Sequence, residues 1–239
     1  MTELTLKTPY TASNTNSSIK QEYSMNQFKL KDPGSAITHL IGFAAAIIGT
    51  PLLLIRASWH GAGRTAQISL TIFMMSMILL YGASTIYHSL NISEKVNRRL
   101  RKIDHMMIFI LIAGTYTPVC MLAFDGRKLL MLVYGLALVG ILVKAFWITC
   151  PKWFSSVIYI GMGWVCLLAF PQILASLSTG AFLWLLAGGV IYTIGGVIYA
   201  LKLPVFNSIH KNFGSHEIFH LFVMGGSFCH YMVMYLYLA

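Results

Sequence analysis

Charged side chains are scarce in this chain: Asp, Glu, Lys and Arg make up only 10% of 239 residues, and just seven of them are acids. A soluble domain carries about 25% charge, so a soluble globular fold is excluded. Cysteine is also sparse. Cys120, Cys150, Cys166 and Cys229 form no CxxC pair and fall within or at the ends of apolar segments. That spacing gives neither a disulfide framework nor a Cys-based zinc site, and reads them as small packing residues. The first 33 residues hold no apolar run of the kind a signal peptide requires. No internal repeat is visible.

What fills the chain instead is hydrocarbon: 57% of the residues are hydrophobic. A helix needs about 20 mostly apolar residues to cross a bilayer. Seven segments meet that requirement, near residues 36–56, 66–90, 103–124, 128–149, 153–173, 181–201 and 213–237. The fold class is therefore an all-α integral membrane protein, a seven-transmembrane helix bundle occupying residues 34–239. Residues 1–33, rich in Ser, Thr and Asn, read as a disordered cytoplasmic tail. Met25, just before "NQFKLKDPGSAITHL", is an alternative translation start.

Charge sets the expected orientation. With Lys and Arg assigned to the nearer end of each span, thirteen of the 17 fall on the side of the N-terminus. The other four are Arg56, Arg64, Arg127 and Lys128. The positive-inside rule then puts the N-terminus in the cytoplasm and the C-terminus outside a cell membrane. The densest basic run, "SEKVNRRLRKIDH", reads as a topological anchor touching anionic headgroups rather than a nucleic-acid site.

On this topology the histidines are lopsided. His39, His88, His105, His210, His216 and His220 fall near the cytoplasmic ends, with His60 and His230 toward the other side. His216 and His220 are four residues apart, which places both imidazoles on one helix face in metal-ligand spacing. Ser84 and His88 repeat that spacing at the end of the second span, and Asp104 opens the third. Ionisable groups so close to hydrocarbon are costly unless they pair or bind metal. Three neutral imidazoles leave the fourth tetrahedral position of Zn²⁺ open, the pattern of a catalytic site. Asp104 could then accept a proton from water, its charge favoured at the positive end of the third helix. Ser84, one turn deeper than His88, could hydrogen-bond Asp104, the water or a substrate carbonyl.

The set Ser84-xxx-His88, Asp104 and His216-xxx-His220, with "DPGSAITHLIGF", "YHSL", "AGTYTPVC" and "SHEIFHLF", resembles the bacterial hemolysin III family. That family is related to the progestin and adipoQ receptors (PAQR) and, more distantly, to alkaline ceramidases. The resemblance runs from about Lys31 to the C-terminus. It implies zinc held by His88, His216 and His220, with Asp104 and Ser84 around its water, and hydrolysis of a lipid amide or ester. The family name also records haemolysis attributed to pore formation.

Other marked residues have plainer readings. His39 is recurrent in that family's first span, and here an interior hydrogen bond accounts for it better than ligation. His105, about 100° round the helix from Asp104, suits a headgroup or a supporting contact. Glu217 reads as an interfacial charge, His210 beside Lys211 as solvated, and His230 as an interhelical hydrogen bond too deep to share the metal. Lys144 is expected to snorkel to the cytoplasmic surface. Thr115 to Pro118 can kink the third span, and the pairs Gly188–Gly189, Gly195–Gly196 and Gly225–Gly226 allow close helix approach or admit an acyl chain.

Three functions compete. A zinc hydrolase of membrane lipids, with its substrate inside the bundle, explains why Ser, Asp and His converge beside water. A pore-forming cytolysin expects a polar stripe running through the spans, whereas the polar groups gather at one end. A receptor or regulator with structural zinc uses the same ligands, and the residues alone leave it open against the hydrolase.

Overall fold

The computed structural model describes residues 30–201 and 214–239. The expected tail, Met25, Lys202, His210 and Lys211 lie wholly or mostly outside those residues. From Lys31 to Ala239 the chain forms one compact unit. Its helices are α1 (Pro33–Trp59), α2 (Arg64–Ser89), α3 (Glu94–Pro118), α4 (Arg127–Phe146), α5 (Lys152–Gly163), α6 (Phe170–Ser176), α7 (Thr179–Leu201) and α8 (Ser215–Val233). A π turn, Val119–Ala123, extends α3, another, Met234–Leu238, extends α8, and a 3₁₀ segment, Trp164–Ala169, joins α5 to α6. The α5–α6 pair is one span, so seven helical segments among the described residues are long and apolar enough to cross a membrane. The chain is a multi-pass membrane protein.

The expected spans coincide with the helices except at the start of α3. Helix begins at Glu94, capped by Ser93, whose Oγ accepts from Val96 N at 3.3 Å. The basic run taken as a connection is therefore two helical turns, which a hydropathy window cannot register because they are polar. The correction matters for Asp104. It lies ten residues inside α3, not at its N-terminus, so the helix dipole does not account for its charge.

Two apolar cores share α3. One joins α1, α2, α3 and α8 around Leu53, Phe73, Met74, Tyr81 and Met234. The other joins α3 to α4 and the fifth span around Phe109, Val133 and Met162. In lipid, helix association rests on close packing rather than on the hydrophobic effect. The α7–α8 pair shows it: a Cβ on Gly195 would lie 2.6 Å from Phe222 Cβ.

The fifth span is interrupted where Pro171 follows the 3₁₀ segment. Side chains answer the broken backbone ladder, as hydrocarbon requires. Tyr116 Oη donates to Gly163 O at 2.6 Å and accepts from Cys166 N at 2.9 Å. Trp164 Nε1 donates to Thr193 Oγ1 at 2.9 Å. Pro118 closes the regular part of α3, and the π turn after it absorbs the disturbance.

Lys144 does not snorkel. It is 2% exposed, and its Nζ donates to Ser155 Oγ at 2.5 Å and to Cys150 Sγ at 3.1 Å. The chain turning from α4 into α5 folds these acceptors over the lysine. All four cysteines are free thiols.

Candidate metal centre and its cavity

Three imidazoles meet where the last turn of α2 faces the first turns of α8. His88, His216 and His220 each offer one ring nitrogen, all within 4.8 Å of one another. His88 Nε2 and His216 Nε2 are 3.3 Å apart. Two nitrogens each 2.0–2.1 Å from a tetrahedral zinc stand about 3.4 Å apart, so this spacing suits a shared cation.

The tautomers agree with that fit. His88 Nδ1 donates to Asp32 Oδ2 at 2.9 Å, which leaves its Nε2 as a lone pair facing His216. Thr38 Oγ1 is 3.0 Å from the carbonyls of Gly34 and Ser35 and 3.2 Å from His220 Nδ1. With its own hydrogen on a carbonyl, the threonine accepts from His220 Nδ1–H and frees that ring's Nε2. His216 Nδ1 is buried and has no partner. A ligating imidazole is ordinarily held through its other nitrogen, and two of the three rings are held in this way.

Both supporting groups come from the N-terminal end of α1. Asp32 is the N-cap residue there, before Pro33, and its carboxylate makes no capping bond. Its backbone N–H also donates to His88 O at 2.9 Å. Ser35 Oγ donates to Glu217 Oε1 at 2.5 Å, and Glu217 Oε2 accepts from Gly214 N at 2.8 Å. Glu217 thus caps α8 and ties it to α1.

His39 lies parallel on His220, ring centroids 3.6 Å apart and planes at 9°. Neither of its ring nitrogens has a hydrogen-bond partner, so the expected interior hydrogen bond is not formed. Packing explains its place: the stack on one side and the edge contact to Tyr81, at 5.1 Å, on the other.

A cavity opens beside the cluster. Its volume is about 200 Å³, where one water needs only ~10–15 Å³. Ser84, Asp104, His216 and His220 line its histidine end. Leu111, Ile112, Val119, Leu129, Phe182 and other apolar residues carry it to the opposite ends of the spans. Ser84 Oγ is buried and unpartnered, so the expected bond to Asp104 is absent. Asp104 Oδ2 lies 3.4 Å from His105 Nδ1, which donates to Arg101 O at 2.9 Å.

The structure therefore brings His88, His216 and His220 into one group, and sets Ser84 and Asp104 on the wall of the same cavity. Asp32 and Thr38 went unremarked in the sequence. The signal for Asp32 was an acid at the mouth of a span in a chain with only seven. Thr38 lies in the stretch "DPGSAITHLIGF", with no spacing to His220 that its own residues could reveal.

A family model described as haemolysin-III related matches residues 28–231. The chain is 37% identical to Hemolysin-3 of Bacillus cereus over 206 residues, 85% of this chain and 90% of that protein. It is 38% identical to the Hemolysin-3 homolog of Bacillus subtilis (strain 168) over 204 residues, 84% of this chain and 91% of that one. A weaker similarity, 28% over 222 residues, links it to the adiponectin receptor protein of Drosophila melanogaster. The match takes in 84% of this chain and 49% of the receptor.

Proposed function

Because this chain belongs to the haemolysin-III-related family, we propose that it is a metal-dependent hydrolase of lipid amide or ester bonds, with Zn²⁺ held by His88, His216 and His220 at the cytoplasmic end of the bundle. The observation that carries this reading is the convergence of three imidazoles beside one end of a mostly apolar cavity. When bound, zinc supplies a Lewis acid for a carbonyl and lowers the pKa of water to roughly 7.

The chain's own residues divide the remaining work. The apolar wall takes up an acyl chain and keeps water from it. Ser84 Oγ–H, buried without a partner, is available to donate to the carbonyl oxygen of a lipid. Asp104, on the same wall, accepts a proton from water and returns it to the departing amine or alcohol. Asp32 and Thr38 hold the rings of His88 and His220 so that each turns Nε2 toward the centre.

Two other readings differ in what they expect. A pore-forming cytolysin, suggested by the relatives' names, needs a polar path through the bundle, and the apolar lining opposes it. A receptor or regulator with structural zinc draws on a specific feature, since the three ligands join α2 to α8. The deciding experiment uses purified protein in bilayers with ceramides and glycerolipid esters, beside an Asp104→Asn variant of matched metal content. Hydrolysis by the parent and its loss in the variant supports the hydrolase. Absence of turnover by a fully loaded parent, with a lower Tm on metal removal, favours structural zinc.

A further inference from the structure

Deep in the cavity, away from the histidine cluster, two polar groups have no part in the candidate metal centre. His230 lies on α8 ten residues beyond His220, about 15 Å farther along the helix axis. Its ring is 7% exposed, lines the cavity and has no hydrogen-bond partner at Nδ1. The expected interhelical hydrogen bond is not made. Instead the ring stacks on Tyr192 of α7, centroids 5.4 Å apart and planes at 18°. Gly188 makes room for it, since a Cβ there would stand 2.7 Å from His230 Nε2.

Tyr192 contributes the second group, as a hydrogen count shows. Tyr81 Oη donates to Ser227 Oγ at 2.7 Å, and Tyr192 Oη is 2.8 Å from the same oxygen. Three hydroxyls bring three hydrogens to two contacts, so one O–H is left over. Of the three residues only Tyr192 lines the cavity. With Ser227 donating to Tyr192 Oη, the spare hydrogen is the tyrosine's, free to turn toward the cavity.

We infer that His230 and Tyr192 form a subsite for a hydroxyl group carried at mid-length on the hydrocarbon chain of the cavity's ligand. The inference rests on reading the cavity as a lipid chamber. A hydroxyl matches the pair because it accepts from Tyr192 O–H while donating to an imidazole nitrogen. A carboxylate or ammonium would bring an unpaired charge to membrane depth. A plain chain would leave two buried polar groups without partners, the situation in which sites discriminate most strongly. An extended chain advances about 1.25 Å per bond, so a separation of about 15 Å sets the hydroxyl roughly a dozen bonds from the group held at the histidine cluster.

The test is equilibrium displacement of a fluorescent fatty acid from the full-length protein in lipid nanodiscs. Three competitors are compared: octadecanoic acid, the same chain hydroxylated at its twelfth carbon, and the same chain hydroxylated beside the carboxylate. The mid-chain hydroxy acid is expected to bind about tenfold more tightly than the other two. Tyr192→Phe, which keeps the ring and its stack, and His230→Phe should each erase that preference while leaving the affinity for octadecanoic acid unchanged. Equal affinities for all three acids, a preference that survives in Tyr192→Phe, or no displacement by any of them overturns the inference. The readout is binding rather than turnover. A failure to hydrolyse lipids would therefore not touch it, and loss of the hydroxyl preference would leave the hydrolase proposal standing.

Discussion

Asp32 and His88 are joined twice across 56 residues of sequence: the backbone N–H of Asp32 donates to His88 O, and His88 Nδ1 donates to the Asp32 carboxylate, each at 2.9 Å. The pair fixes both the last turn of α2 and the tautomer of a candidate ligand. It makes the first turn of α1 part of the candidate metal centre, although α1 contributes none of its three imidazoles.

Removing that carboxylate should weaken the metal without unfolding the bundle. Carboxylates behind ligating histidines typically contribute 10–100-fold in affinity, so Asp32→Ala should lower zinc affinity by about that factor in a chelator competition. Asp32→Asn, whose amide oxygen can still accept from Nδ1, should lose less.

His39→Phe should retain metal and keep or raise the Tm. The stack on His220 at 3.6 Å is preserved by a phenyl ring, and two buried nitrogens without partners disappear. Metal loss in this variant would show that His39 does more than pack.

Gly195→Ala should destabilise the bundle by about 1–3 kcal/mol. The added methyl would lie 2.6 Å from Phe222 Cβ, an atom fixed to the α8 backbone that cannot swing aside. Reversible unfolding in detergent measures the change. By contrast, a Cβ on Gly189 meets nothing within 4 Å, so Gly189→Ala should be close to neutral.

Lys144→Met and Lys144→Ala should diverge. Methionine fills the same channel without a buried ammonium, and such replacements are often neutral or stabilising. Alanine leaves a void and should lower stability by about 2–4 kcal/mol. A large loss in the methionine variant would show that the bonds from Nζ to Ser155 and Cys150 hold the α4–α5 corner.

The seven spans were legible because apolar length is a local property, and His216 with His220 because four-residue spacing fixes a shared helix face. The start of α3 was not, since helix made from "EKVNRRLRK" looks like a polar loop to any hydropathy count. Asp104 was misplaced with it. Asp32 and Thr38 act on partners 56 and 182 residues away, and such contacts exist only once the bundle closes. Lys144 was misread for the same reason: a long cation near a span end ordinarily reaches water, and here the following turn covers it.

The metal itself should be measured first. Elemental mass spectrometry on the purified protein, beside a His216→Ala/His220→Ala variant of matched folding, is expected to find near-stoichiometric zinc in the parent and none in the variant. No metal in either protein after zinc supplementation would contradict the metal centre, and with it the hydrolase.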